Sequence, residues 1–459
     1  MEKSKVKRFP PGPWSWPIVG NMHLLANLPH QVIRDLSRQY GPIIGLRLGQ
    51  QPAIAVCSPS LAKEVLMTHD SVFGNRPAFK LYDNLLYPGD SGIIFTTLSR
   101  EWRAHRKLCV MSLMTPKCLQ RMEYIRLEEV SNLLGAVYAE SDRGVQAISI
   151  GTCVARTSAR LLMRLLIRLI EQEAASPGIG DLIPVLSWLD LWRIRRVRAI
   201  RNRFDVVLSS IIANRMKSMA ENSHESYDDL LQSLLRRFVQ PNGTTQASMN
   251  CSALDALTIE WAIAELLKNP KCLMRLRQEM EDVLGEKKGQ LIVEADVKKL
   301  RYLTCVIKEV ARLHPAAPLL IPRMSSKECE VGGYKIPSKT LTFVNVWAIG
   351  RDESIWENAL EFRPERFEGK ETDMVGHHYD ILPFGAGRRI CPGLPLAVSM
   401  LGLTLANLIH CFDLQLPHGQ SSDTMNMEER KGVTSNKAVP TAIVPKPRFP
   451  MDFLYPTSA

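Results

Sequence analysis

The stretch Pro383-Phe384-Gly385-Ala386-Gly387-Arg388-Arg389-Ile390-Cys391-Pro392-Gly393 restricts what this chain can fold into more than any other. Three glycines surround one cysteine, two arginines precede it, and an uncharged apolar run from Leu394 to Leu408 follows. The pattern predicts a tight Gly-rich loop entering a buried helix. Gly385 and Gly387 permit the positive backbone dihedrals of a sharp turn, Pro392 suits a first helical position, and Gly393 lets the backbone approach something large and flat. Cys391 then sits at a helix N-terminus, where unpaired amides and the helix dipole favour thiolate over thiol. Its sulfur is therefore poised to be a metal ligand or a nucleophile. Two plainer readings stay open at this point, a buried free cysteine and a nest of amides for an anion. A P-loop is excluded, because no Gly-Lys-Ser/Thr follows.

Cysteine usage narrows the class. The ten cysteines, at 57, 109, 118, 153, 251, 272, 305, 329, 391 and 411, lie far apart and form no Cys-x-x-Cys. That spacing argues against a disulfide scaffold or a structural zinc site and for a reducing compartment. At 45% hydrophobic and 23% charged, the 459 residues read as globular with a large core. The net charge of +11 points to an acidic partner or a membrane surface. No zinc-ligand pattern or RNA-binding signature accompanies it, which ranks nucleic acid last.

The chain opens on the basic run Lys3-Ser4-Lys5-Val6-Lys7-Arg8 and the stiff Pro10-Pro11-Gly12-Pro13, and no stretch of this N-terminal part is long and apolar enough to span a bilayer. Pro29 to Tyr40 reads as an amphipathic helix, Ile43 to Val56 as a hairpin turning at Gly49, and Ser58 to His69 as a second helix. On the next helical stretch Trp102 and Arg106 lie four apart, so an indole N–H and a guanidinium can reach one carboxylate together. Arg121 to Ser218 is helical in pattern, broken at Ser176-Pro177-Gly178. Pro241 to Asn250 is polar and unpatterned, and helical pattern resumes through Thr258-Ile259-Glu260-Trp261. Glu309 and Arg312 share a helix face three apart, a spacing that by itself is common and weak. Ala316 to Ile321 is an apolar run leading to Pro322-Arg323, and Tyr334 to Trp347 reads as a hairpin.

The cysteine loop resembles the haem-ligand loop of the cytochrome P450 family, Phe-x-x-Gly-x-Arg-x-Cys-x-Gly, at Phe384, Gly387, Arg389, Cys391 and Gly393. Four more stretches occur in the family's order: Trp102-Arg103-Ala104-His105-Arg106-Lys107, Thr258 to Leu266, Lys308-Glu309-Val310-Ala311-Arg312, and Phe362-Arg363-Pro364-Glu365-Arg366-Phe367. The style of these motifs is most like that of plant microsomal members acting on phenylpropanoids, flavonoids or terpenoids. The resemblance implies a mainly α fold with small β-sheets, the cytochrome P450 fold, in which Ala316 to Ile321 is a strand lining the pocket. Residues 1–24 would be a basic, Pro-rich segment without the family's anchor, and 25–459 the haem domain.

It further implies a haem-thiolate monooxygenase that inserts one oxygen atom from O₂ into a small apolar secondary metabolite. The cofactor is haem b, and the electrons come from NADPH through NADPH–cytochrome P450 reductase. Cys391 is the axial ligand to iron, where a thiolate pushes electron density toward O–O cleavage. Phe384 shields the sulfur, while Trp102, Arg106, Arg323 and Arg389 bind haem propionates. Glu309, Arg312 and Arg366 form a buried triad beneath the haem. Arg103, His105 and Lys107 face outward, toward an acidic electron donor. The location implied is the cytosolic face of the endoplasmic reticulum, or the cytoplasm if no anchor is present.

The central helix departs from the family. Counting back from Thr258, the family's acidic residue and oxygen-handling Thr fall at Ala253 and Leu254, which offer neither donor nor acceptor. Asp255 and Thr258 are the nearest polar candidates for a proton relay. Two further readings accommodate Leu254: a haem-thiolate isomerase or lyase that starts from a peroxide, and a shortened member that binds haem but is catalytically impaired.

Overall fold

The computed structural model describes residues 8–77, 93–121, 123–159, 251–285, 289–432 and 434–451. Pro29–Tyr40 is the first long helix, with Pro29 at a position whose amide would lack a helical partner in any case, and Gly41 at φ 99° ends it. It buries His30 and Ile33. Ile43–Leu48 and Gln51–Val56 then pair antiparallel, with Leu48 opposite Gln51 across Gly49 at φ 63°. Gln51–Val56 also runs parallel to Leu341–Val344, which in turn pairs with Arg323–Met324. This four-stranded sheet joins two ends of the chain and fixes Arg323 against the segment that follows the second helix. That helix, Pro59–Lys63, is capped by the Ser58 hydroxyl and continues as one wider π turn, Glu64–Thr68.

The core is helical. Cys251–Lys268, the central helix, is apolar on most of its circumference and packs against Ile150–Ala159, Arg301–Leu313 and Leu394–Cys411. Trp261, Ile263, Leu303, Val306, Val310, Leu403 and Leu408 meet there and are closed to solvent. Leu394–Cys411 is long and apolar enough to cross a membrane, but its side chains are mostly buried inside the protein, as the uncharged run predicts.

Several expectations need correction. Tyr334–Ile336 pairs with Cys329–Val331 across Gly332-Gly333, and Leu341–Val344 belongs to the other sheet, so Tyr334 to Trp347 is no hairpin. Ala316 to Ile321 is not a strand, because Pro318 can donate nothing to a ladder and Leu320 sits at φ 51°. Within Arg121 to Ser218 the helix Glu123–Glu140 ends in a turn and a short strand, Ile148–Ser149, before Ile150–Ala159. The rest of that stretch, like Pro241 to Asn250, lies outside the described residues. Pro392 precedes the last long helix, which starts at Leu394 with Pro395 in its first turn.

Two buried carboxylates hold these parts together. Glu309 accepts from Arg312 Nε and Nη2 (both 2.7 Å), from Arg366 Nε (2.9 Å) and from the Arg363 amide (2.8 Å). The three side chains are at most 3% exposed. Two cations share one anion, and main-chain carbonyls offset the surplus: Gly350, Ala359 and Glu361 for Arg312, and Glu357, Asn358 and Glu361 for Arg366. Glu429 joins the first helix to the C-terminal segment, accepting from His30 Nε2 (2.5 Å), Gln31 Nε2 (3.3 Å) and Trp347 Nε1 (2.9 Å). Burial alone raises its pKa, but the bond and charge of His30, with Arg351 and Trp347, outweigh burial and bring it down to about 2.

Glu309→Ala leaves two buried guanidinium groups facing carbonyls alone and is expected to cost about 3–5 kcal/mol, as is Arg312→Ala, which strands the carboxylate. Urea unfolding measures this, and midpoints equal to wild type would show that the cluster carries no stability. For Glu429, the folded pKa lies below the ordinary value of 4.5, so its contribution is complete above pH 4.5 and is lost as pH falls toward about 2. Glu429→Gln is therefore expected to lower stability at neutral pH and to flatten the acid limb of the stability curve. An acid limb as steep as wild type would contradict that.

Candidate functional site

The loop before the last long helix has the shape its glycines require. Gly385 and Gly387 both stand at φ 69°, and Gly387–Arg389 forms a single 3-10 turn closed by the Ile390 amide on the Gly387 carbonyl (3.0 Å). A β-carbon at Gly387 would collide with the Leu66 carbonyl, so the loop and the π turn Glu64–Thr68 touch backbone to backbone. The Cys391 amide donates to the Phe384 carbonyl (3.0 Å), which brings those two residues side by side at the mouth of the loop. Both are half-buried, and Phe384 packs against the large core. Gly393 is the N-cap of Leu394–Cys411, so Cys391 lies two residues outside the helix, still close to its positive end.

Arginines converge on this loop from three directions. Arg100–Leu113, capped by the Ser99 hydroxyl on the Trp102 amide (3.0 Å), carries Trp102 and Arg106 inward while Arg103, His105 and Lys107 are exposed. Trp102 is 4% exposed and has two guanidinium groups near its rings, Arg389 at 4.2 Å and Arg106 at 5.6 Å from the centroid. Its indole N–H goes to the Ile93 carbonyl (2.8 Å) and Arg106 Nη2 to the Ile390 carbonyl (2.7 Å), two different acceptors. Arg389 donates to the carbonyls of Gly74 (2.8 Å), Ile93 (3.1 Å) and Thr96 (2.5 Å). Arg323 reaches the Ala386 carbonyl (3.1 Å) and Asp70 Oδ1 (3.5 Å).

The result is a surplus of buried positive charge. Burial pushes the Arg389 guanidinium down to about 10, with Arg323 and Arg106 adding repulsion and Asp70 offsetting part of it. Burial likewise pushes Arg323 down to about 10 against the pull of Asp70. Among the described residues Arg389 has only neutral acceptors within hydrogen-bond distance. An anionic group placed here would relieve that repulsion, which a neutral ligand would not. Asp70 and Arg76 were not marked by the sequence reading. Arg76 is 5% exposed and donates to Ile94, Ile321 and Pro322 carbonyls. Neither belongs to a periodic pattern or a recognisable spacing, so no sequence signal singles them out.

The central helix packs on the helix that follows the cysteine loop. It runs as one α-helix from Cys251 to Lys268. Thr258 is half-buried; the side chain of Asp255 lies outside the described residues. Trp261 stacks flat on His314 (3.8 Å between centroids, 5°) and donates to the Ser435 carbonyl (2.5 Å). His314 Nε2 meets Glu265 at 2.7 Å, and the Ser435 amide donates to Ala316 (3.2 Å). These contacts bring the segment after His314 and the C-terminal turn at Gly432 and Thr434 to the central helix. Val433 lies outside the described residues.

A sequence model described as cytochrome P450 matches residues 10–441. The chain is similar to the flavonoid 3'-monooxygenase of Crocosmia x crocosmiiflora, 35% identical over 482 positions that cover 96% of this chain and 93% of the relative. The 7-ethoxycoumarin O-deethylase of Helianthus tuberosus is 35% identical over 96% of this chain and 95% of its own length. The geraniol 8-hydroxylase of Swertia mussotii is 35% identical over 96% and 94%. The first alignment is longer than the 459-residue chain itself, so the relative carries residues that this chain lacks.

Proposed function

The chain belongs to the cytochrome P450 family, and we propose that it is a haem-thiolate monooxygenase that inserts one oxygen atom of O₂ into a small apolar secondary metabolite. The other oxygen atom leaves as water, with two electrons drawn from NADPH through a separate flavin reductase and two protons from solvent. The observation that carries the reading is the surplus of buried guanidinium charge beside the Cys391 loop. Haem offers what that site is built to take, a flat apolar body with two carboxylates and an iron that accepts thiolate. When bound, it supplies the iron at which O₂ is reduced and split.

In this reading Cys391 is the iron ligand, held in place by its own amide on Phe384 and favoured as thiolate by the adjoining helix end. Trp102, Arg106, Arg323 and Arg389 hold the carboxylates. Phe384, Gly387 and Gly393 shape the loop, and the triad of Glu309, Arg312 and Arg366 keeps the segment beneath it from moving. The relatives named for a flavonoid, a coumarin ether and geraniol support a substrate from the phenylpropanoid or terpenoid classes. Residues 25–459 make up the haem domain. The cytosolic face of the endoplasmic reticulum is the proposed location, supported by the exposed Trp14, Trp16, Ile18 and Val19 next to the basic start.

Proton delivery is the weak part of this site. The family register sets Ala253 and Leu254 where an acid and a hydroxyl serve, and neither side chain offers a donor or an acceptor. Asp255 and Thr258 remain the relay candidates, and we infer that turnover is poorly coupled.

Two experiments follow. Cys391→Ala is expected to abolish the thiolate-type Soret band of the reduced carbonyl complex, and an unchanged band would rule out the ligand. With reductase, NADPH and a substrate that shifts the haem spectrum, most electrons are expected in hydrogen peroxide rather than product. Tightly coupled hydroxylation would show that Asp255 or Thr258 performs the relay.

A further inference from the structure

We propose that Asp70 is a positioning residue of the haem site, clamping the turn that presents Cys391 and setting the net charge of the arginine cluster. The inference rests on the reading of Cys391 as the iron ligand.

Asp70 follows the π turn Glu64–Thr68 and is 8% exposed. Its Oδ2 accepts the Arg388 amide at 3.0 Å and Arg388 Nε at 3.2 Å, while Oδ1 faces Arg323 Nη1 at 3.5 Å. Arg323 also holds the Ala386 carbonyl at 3.1 Å. The carboxylate thus grips Arg388 directly and Ala386 through Arg323, one residue on either side of Gly387. Gly387 is what allows the approach, since a β-carbon there would stand 3.1 Å from Asp70 Cγ and Oδ1. The clamped turn leads through the Ile390 amide on Gly387 straight to Cys391. An amide bonded to an anion is held more strongly than one bonded to a carbonyl. The sulfur's position is therefore referred to Asp70, a residue 318 positions away in sequence from Arg388.

Charge gives the second half of the role. The buried guanidinium groups of Arg323 and Arg389 face the same region, and Asp70 cancels part of their field. Without that carboxylate the site is more positive, which favours the added electron when iron is reduced.

The test uses purified holoprotein. Asp70→Asn keeps the size and an acceptor for the Arg388 amide but removes the charge; Asp70→Ala removes both. For the Asn variant the expected outcome is a retained thiolate-type Soret band in the reduced carbonyl complex and a midpoint potential shifted upward in a redox titration. The Ala variant is expected to show the upward shift and to lose part of the thiolate-type band as well. Asp70→Glu, which restores charge, is expected to bring the potential back toward wild type even if its longer arm disturbs the turn. Potentials and bands equal to wild type, with only the melting temperature lowered, would reduce Asp70 to a structural residue and overturn the proposal. A Glu potential displaced as far as that of Asn would overturn the charge argument. Absence of the thiolate-type band in the wild-type protein would overturn the Cys391 reading and this proposal with it, whereas a normal wild-type band with unresponsive variants would overturn this proposal alone.

Discussion

One carboxylate with two guanidinium partners underlies the rest of the structure. Glu309, at 0% exposure, gives its two oxygens to Arg312, Arg366 and the amide of Arg363. Taking three charges out of water costs several kcal/mol per ion, and pair attraction regains it only where every remaining donor is also satisfied. Here it is, because the arginines spend their other donors on carbonyls between Gly350 and Glu361. The cluster thereby fastens an irregular segment with little regular secondary structure of its own to the helix Arg301–Leu313. That segment leads directly into the cysteine loop.

The cysteine loop is governed by a charge balance of the opposite kind. Around Glu309 the surplus cation is shared among carbonyls within the fold. Around Cys391, burial depresses both Arg323 and Arg389, the charges of Arg323 and Arg106 depress Arg389 further, and Asp70 is the carboxylate that the described residues bring to Arg323. The first arrangement is complete in the polypeptide; in the second Arg389 has only neutral acceptors among the described residues, a balance that an added anionic group would improve. That contrast distinguishes a structural ion cluster from a binding site built of the same residue types.

The legibility of these features in the sequence differs for physical reasons. Glu309 and Arg312 are readable as a pair, since helical geometry sets residues three apart on one face. Their burial is not, because most such pairs lie at the surface. Trp102 and Arg106 are legible in the same way, but the guanidinium nearest the indole comes from Arg389. The partner of Tyr334–Ile336 is Cys329–Val331 rather than the strand after it, because alternating residues declare a strand and say nothing about what it pairs with. Asp70 and Arg76 carry no pattern at all, and only the approach of the π turn to Gly387 gives them a place.

What the sequence determined alone was local: the tight turns at Gly385 and Gly387, the uncharged buried helix behind Cys391, the first helix and the Gly49 hairpin. Each follows from torsional freedom or periodicity over a few residues, which the chain carries wherever it is placed. The tertiary structure decided the charge environment. The parallel pairing of Gln51–Val56 with Leu341–Val344 and the contact between Leu66 and Gly387 bring Asp70, Arg323 and Arg389 together from distant parts of the chain. Electrostatic interaction depends on distance and burial, neither of which is a property of sequence separation.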